Sequence, residues 1–316
     1  MSLAPIKLNP AYKDYLWGGD KLKTNFGKNT DLSPLAESWE LSAHKDGESR
    51  VCGGEYDGYT LSKYIEALGG GVLGEKCKRF ERFPMLIKLI DAKSDLSVQV
   101  HPSDEYAQIH EGEYGKTEMW YILDCDEGAC LYYGFTRDVT RDEYEMAIKN
   151  NTLTSLLNRV PVKAGDLFFI PSGTVHAIGA GIVICEIQQN SNTTYRVYDW
   201  GRVDKNGNPR ELHIDKALDV SDLRRAPETA DIGDGEDVLL ASCEYFTVRR
   251  LKIDKKSSVH CNGESFISLI AVDGEGSVTI NGSTLEFVRG ESIFIPAQIG
   301  EISIIGSCEL LMSYVD

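Results

Sequence analysis

No run in this chain comes near the roughly 18 continuous apolar residues of a membrane-crossing helix. The first residues, MSLAPIKLNP, also lack the apolar stretch of a secretory signal. The sequence therefore predicts a cytoplasmic protein. Missing too is any CxxC pair. The eight cysteines, Cys52, Cys77, Cys125, Cys130, Cys185, Cys243, Cys261 and Cys308, stand apart, several inside strand-like runs such as VICEI. They read as reduced small hydrophobes rather than a disulfide framework. Positive charge is in short supply as well: 33 Lys and Arg against 49 Asp and Glu leave a net charge of -16. General affinity for nucleic acid or for an anionic membrane is excluded on that ground, whereas a small phosphorylated ligand in a local basic pocket is not.

What is present suits a folded protein of one large domain or two: 316 residues, 42% hydrophobic and 26% charged. Strand-like runs dominate, among them PMLIKLID, KTEMWYILD, DLFFIPSG, GIVICEIQQ, YFTVRRLKI and SFISLIAVDG. Helical spacing is confined to TLSKYIEALGG, to TRDEYEMAIKNNTLTSLLNRV, which reads as one or two helices, and to HIDKALDVS. The polar stretch DLRRAPETADIGDGED (222–237) reads as a connection, placing a boundary near 230 between units 1–230 and 231–316. Each side holds a comparable segment, GDLFFIP at 165–171 and GESIFIP at 290–296. After the first comes His176; at the same offset after the second comes Glu301.

In LSVQVHPSD (96–104), Gln99 and His101 interrupt an apolar run at alternate positions and would share one face of a strand. The spacing Gly165-x5-Pro171-x-Gly173-x2-His176 resembles the second motif of the cupin superfamily, small jelly-roll barrels. Residues 99–101 would be the first motif, with Gln99 in place of one histidine of HxH and Glu118 as the following acid. Either histidine alone reads as a hydrogen-bonded structural residue. Brought together by a barrel, Gln99, His101, Glu118 and His176 offer an amide oxygen, two imidazoles and a carboxylate, a set suited to Zn²⁺ or another borderline divalent ion. The fold expected is mainly β: two cupin-like jelly-roll barrels, with helices added to the N-terminal, catalytic part.

A narrower likeness follows from FPMLIKLIDAKSDLSVQVHPSDEYA, GKTEMWYIL and IPSGTVHAIGAGIVICEIQQNSNTTYRVYDWGR. These segments, with their QxHP, KxE, PxGxxHA and SNxTxRxxD elements, resemble the short bacterial form of the type I mannose-6-phosphate isomerases across most of the first 215 residues. The resemblance implies one Zn²⁺ per chain on Gln99, His101, Glu118 and His176. It also implies a sugar phosphate as substrate, moved between aldose and ketose through an enediolate, and no particular oligomeric state. Arg196 is expected to supply positive charge, in catalysis or on the substrate's phosphate. Lys88, inside LIKLI, either does the same or reaches solvent at a barrel rim. Lys116, Glu186 and His44 are the candidates for general base, Lys116 first. The second barrel, with Gln298 and Glu301 where a metal-binding cupin would show Gly and His, is expected to be metal-free and structural. The alternatives are a metal-dependent cupin oxygenase and a non-catalytic sugar-binding or regulatory cupin.

Overall fold

Two strands near the middle of the chain are buried along their whole length. Met85–Ala92 and Ile182–Gln189 each have all 8 residues buried, which is why both read as nearly continuous apolar runs rather than alternating ones. They pair antiparallel at the centre of a six-stranded sheet, seen in a computed structural model that describes residues 3–203, 206–228 and 232–316. The strand order is Leu167–Ile170, Glu118–Cys125, Ile182–Gln189, Met85–Ala92, Glu37–Leu41, Ala11–Lys13.

Each face of this sheet has its own partner. Ile90, Trp120, Ile122, Phe168 and Ile184 meet Leu131, Tyr133 and Ile178 of a five-stranded sheet ordered Tyr195–Tyr198, Val98–Val100, His176–Ile178, Cys130–Phe135, Leu157–Pro161. Their alternates, Met85, Ile87, Leu89, Met119 and Ile187, join Val248, Ile270 and Phe294 of a nine-stranded sheet and Phe246 and Phe266, each just ahead of one of its strands. The six-stranded sheet is thus a middle layer. Along its inner face, apolar side chains fill one end, and the same facing positions further along carry Lys88, Glu118 and Glu186.

The expected helices are found at Leu61–Leu68, capped by Thr60, at Arg141–Lys149, closed by a Thr140–Glu143 capping box, and at Ile214–Val220. The helical reading fails for LLNRV. Leu153–Ser155 is one 3-10 turn, and Leu157–Pro161 is an edge strand paired with Cys130–Phe135, so ladder hydrogen bonds override the local pattern.

The nine-stranded sheet also takes in Ile6–Asn9, paired with the strand Ser292–Ile295, and then Arg50–Cys52. Residues before 230 therefore complete the second unit; the boundary near 230 itself falls beside 229–231, outside the described residues. The repeated segments do adopt one conformation. Gly165 and Gly290 both have φ of 90°, each followed by a strand that ends at the proline. Two residues past the proline, Gly173 (φ 88°) and Gln298 (φ 68°) both hold a left-handed turn, so the second copy keeps the turn without the glycine. Its interior is aliphatic, built from Leu251, Ile267, Leu269, Ile293, Ile302 and Leu310, while Glu301 faces solvent.

Lys28 ties the layers together. Its ammonium lies 2.5 Å from the Glu40 carboxylate, both side chains being buried, and donates to the Gly290 carbonyl at 2.5 Å. Burial pushes the Glu40 carboxyl upward, and Lys28 opposes that. Removing the ammonium strands a buried carboxylate, so Lys28→Met should cost about 3–5 kcal/mol in denaturant unfolding, and pairing it with Glu40→Leu should restore much of the loss. A fragment ending near residue 230 would uncover the apolar outer face of the middle sheet and should be insoluble; a soluble, active fragment would contradict that layering.

Candidate active site

Val98 and Val100 pack outward against Phe135, Tyr144 and Ala217, which turns Gln99 and His101 inward between the two facing sheets. His176 is the direct cross-strand neighbour of Gln99, and Arg196 lies opposite Gln99 on its other side. Glu118 opens its strand on the facing sheet, two residues after Lys116.

Both imidazoles are oriented by the main chain. His101 Nδ1 donates to Thr193 O at 2.9 Å and His176 Nδ1 to Thr174 O at 2.8 Å, which fixes the tautomer and leaves each Nε2 lone pair facing the interior. There they meet Glu118: His176 Nε2 is 3.2 Å and His101 Nε2 3.7 Å from Oε1. Glu118 is buried; among the described residues its Oε1, which both imidazoles face, accepts no hydrogen bond, while Oε2 lies 2.8 Å from Lys116 Nζ. The Gln99 amide is 3.4 Å from His176 Nε2, able to present its oxygen after a flip. Burial holds His176 down to about 4 and His101 well below its usual range, and it raises Glu118 to about 8 against the pull of Lys116. Two lone pairs and the unbonded carboxylate oxygen Oε1 directed at one point repel one another; a divalent cation turns all three contacts favourable. His101, Glu118 and His176, with ligand atoms within 4.8 Å of one another, fit a metal ion in donor type and orientation.

Beside them lies a charge relay. Lys116 Nζ is 2.8 Å from Glu118 Oε2, 3.3 Å from His101 Nε2 and 3.6 Å from Glu186 Oε1. Lys88 Nζ is 3.1 Å from the same Glu186 oxygen and 3.9 Å from Glu37, whose other contact is the Trp39 indole at 2.6 Å. Lys88 is therefore buried and paired, not a rim residue reaching solvent. Burial opposes ionisation of Glu186, but Lys116, Lys88 and the Trp120 N–H outweigh it and hold the carboxyl down to about 2. Lys88 is raised, Glu186 and Glu37 overcoming the effect of burial. These groups open onto a cavity of about 290 Å³ that also reaches Ser97, Asn192, Arg196 and Arg210.

The structure thus brings together eight of the nine expected residues: Lys88, Gln99, Lys116, Glu186 and Arg196 line the cavity, and His101, Glu118 and His176 cluster directly beside it.

 His44 is the exception: its ring is 3.4 Å from Glu113 and 3.6 Å from Asp46, on a separate cavity of about 570 Å³ beside Cys77 and Phe80. Sequence reasoning missed Glu37, Asn192 and Arg210. Glu37 had a signal, an acid inside the apolar ESWEL strand; Arg210, in the polar NGNPREL, had none.

Comparison with known proteins decides the family. Residues 6–132 match the family model described as phosphomannose isomerase type I, catalytic domain, and residues 236–315 match that of the mannose-6-phosphate isomerase cupin domain. A mannose-6-phosphate isomerase of Bacillus subtilis is 40% identical over 100% of both chains. The chain belongs to the type I mannose-6-phosphate isomerases. One from Streptococcus mutans is 37% identical over 98% of each chain. The crystal structure of a Bacillus subtilis mannose 6-phosphate isomerase superposes with a TM-score of 0.90, at 36% identity, covering 99% of this chain and 100% of that one. With the mannose-6-phosphate isomerase family established, the oxygenase and the non-catalytic cupin are set aside. His101→Ala and His176→Ala should each lower bound divalent metal from about one ion per chain to near zero, read by elemental analysis; unchanged content in both would refute this metal centre.

Proposed function

We propose that this chain interconverts mannose 6-phosphate and fructose 6-phosphate with a single Zn²⁺ held by Gln99, His101, Glu118 and His176. The observation that carries the reading is the set of two oriented Nε2 lone pairs and the buried Glu118 Oε1 that they face, beside a cavity lined by ammonium and guanidinium groups. Zn²⁺, when bound, supplies positive charge for the oxygens on C1 and C2 as negative charge develops on them.

Lys116, in its neutral amine form, takes the proton from one carbon and, as the ammonium so formed, returns it to the other. Its Nζ faces the cavity within 4 Å of both Glu118 and Glu186, so it reaches the reacting carbons from the wall next to the metal ligands. Glu186, ionised and shared between two ammonium groups, holds Lys116 and Lys88 at fixed separation rather than acting as the base. Lys88 stays charged and stabilises the enediolate oxygens. Arg196 supplies charge from the opposite sheet. His44 takes no part in proton transfer; it borders Asp46, which accepts from the cavity residue Asn192 at 2.9 Å. Residues 1–230 carry the reaction, and 231–316, with the strands they borrow, cover the outer face of its sheet. The eight unpaired cysteines suit a cytoplasmic enzyme.

Lys116→Arg keeps the charge and moves the donor. It should lower kcat by about 10²–10⁴-fold with KM and metal content nearly unchanged. A coupled isomerase assay run beside the metal measurement reads both, and wild-type kcat in this variant would remove Lys116 from the mechanism.

A further inference from the structure

At one wall of the catalytic cavity two guanidinium groups stand side by side. Arg196 is half-buried; its Nε donates to Ser97 Oγ at 3.3 Å and its Nη1 to Glu211 O at 3.0 Å. Arg210 is held in a fork by Asp199, with Nε 2.7 Å from Oδ2 and Nη2 2.6 Å from Oδ1. Among the described residues, Arg196 Nη2 and Arg210 Nη1 have no hydrogen-bond partner, and both residues line the same cavity.

The charge here does not balance. Asp199, itself buried, is shared with Arg202 at 2.5 Å, and among the described residues no carboxylate lies within ion-pair distance of Arg196. The cavity's own acids, Glu37 and Glu186, are committed to Lys88, Lys116 and the two indoles. Arg196 binds its proton less firmly than an ordinary guanidinium, first because of burial and then because of Arg210 next to it. Like charges held together by the fold, with donors left over and facing one cavity, form a receptor for a dianion.

We propose that Arg210 is the second arm of a two-arginine clamp, with Arg196, on the phosphate of the sugar phosphate, and that Asp199 is the residue that positions it. The clamp rests on the isomerase reading and makes it more specific. It assigns Arg196 to the phosphate and leaves the carbons to the groups around the metal ligands. Asp199 presents Arg210 with one edge occupied and Nη1 free, so the guanidinium plane is fixed before substrate arrives and little rotamer freedom is lost on binding.

Four variants test it: Arg210→Ala, Arg210→Lys, Arg196→Lys and Asp199→Asn. Arg210→Ala should raise KM for mannose 6-phosphate about ten- to a hundredfold with kcat nearly kept, the signature of an interaction equal in ground and transition states. The dissociation constant for inorganic phosphate, measured by calorimetry on the metal-loaded protein, should rise by a similar factor. Arg210→Lys and Arg196→Lys should shift both constants the same way by less, and Asp199→Asn should shift them with the arginine still present. Added guanidinium ion should recover part of the KM loss in Arg210→Ala. Metal content should stay at the wild-type level throughout. Wild-type KM and phosphate affinity in Arg210→Ala would overturn the clamp, as would a loss confined to kcat. Failure of the isomerase reading looks different: the wild-type protein would not turn over mannose 6-phosphate, while phosphate calorimetry would still report on the two arginines.

Discussion

Everything at the site depends on one electrostatic constraint: two imidazole lone pairs and a carboxylate, all buried, directed at a single point. The backbone enforces it. Thr193 O and Thr174 O claim both Nδ1 protons, so neither ring can turn its N–H toward Glu118. A protein interior tolerates such an arrangement only where a cation is to be held. Lys116 meets part of that demand with its ammonium 2.8 Å from Glu118, and in doing so reaches the cavity next to the ligand set. The proton carrier's position is thus a by-product of the metal centre's charge requirement.

The same constraint explains the layering. Charged groups on the inner face of a sheet cost stability, and the six-stranded sheet carries Lys88, Glu118 and Glu186 there in one patch. The sheet must then be secured from its other face. The nine-stranded sheet does this, packing Val248 and Phe294, with Phe246 and Phe266 just ahead of its strands, against Met85, Ile87, Leu89 and Ile187. It does so with help from the start of the chain: Ile6–Asn9 is one of its strands, and Lys28 links Glu40 on the middle sheet to the Gly290 turn. A Cβ at Gly290 would stand 2.3 Å from Phe26 O, so the close approach of these segments is written into the second repeated motif itself.

How much could be read from the sequence follows from these physical roles. Strands buried on both faces announce themselves as apolar runs, and the polar residues that break those runs, Lys88, Gln99, Glu118 and Glu186, are conspicuous because nothing in a bland core would place them there. Ligands on alternate positions of one strand, such as Gln99 and His101, follow from the pleat. What was not legible lies where local pattern and tertiary pairing diverge. LNRVP carries no strand pattern and becomes one only because the Cys130–Phe135 edge is open to it. Ile6–Asn9 pairs with Ser292–Ile295, far along the chain, which no local signal reveals. His44 is adjacent in sequence to the site's own strand, Glu37–Leu41, yet the chain turns after Leu41 and presents it to a different cavity. Arg210 sits in a polar loop where an arginine is unremarkable, and only its neighbours Asp199 and Arg196 give it meaning.

The second β unit sharpens the point that a fold and a site are separable. It repeats the glycine turn, the strand and the closing proline of the first, and it keeps the left-handed turn at Gln298 although a side chain there is strained. After that turn the two copies part. His176 is inward and buried, whereas Glu301 is outward, paired across the ladder with exposed His260. Where the first unit places Lys88, Glu118 and Glu186, the interior of the second holds leucine and isoleucine. An aliphatic interior needs no cation and no opposing layer to offset buried charge. That freedom lets the second unit spend its outer face on the first, so the unit that gave up the charged interior is the one able to stabilise the unit that kept it.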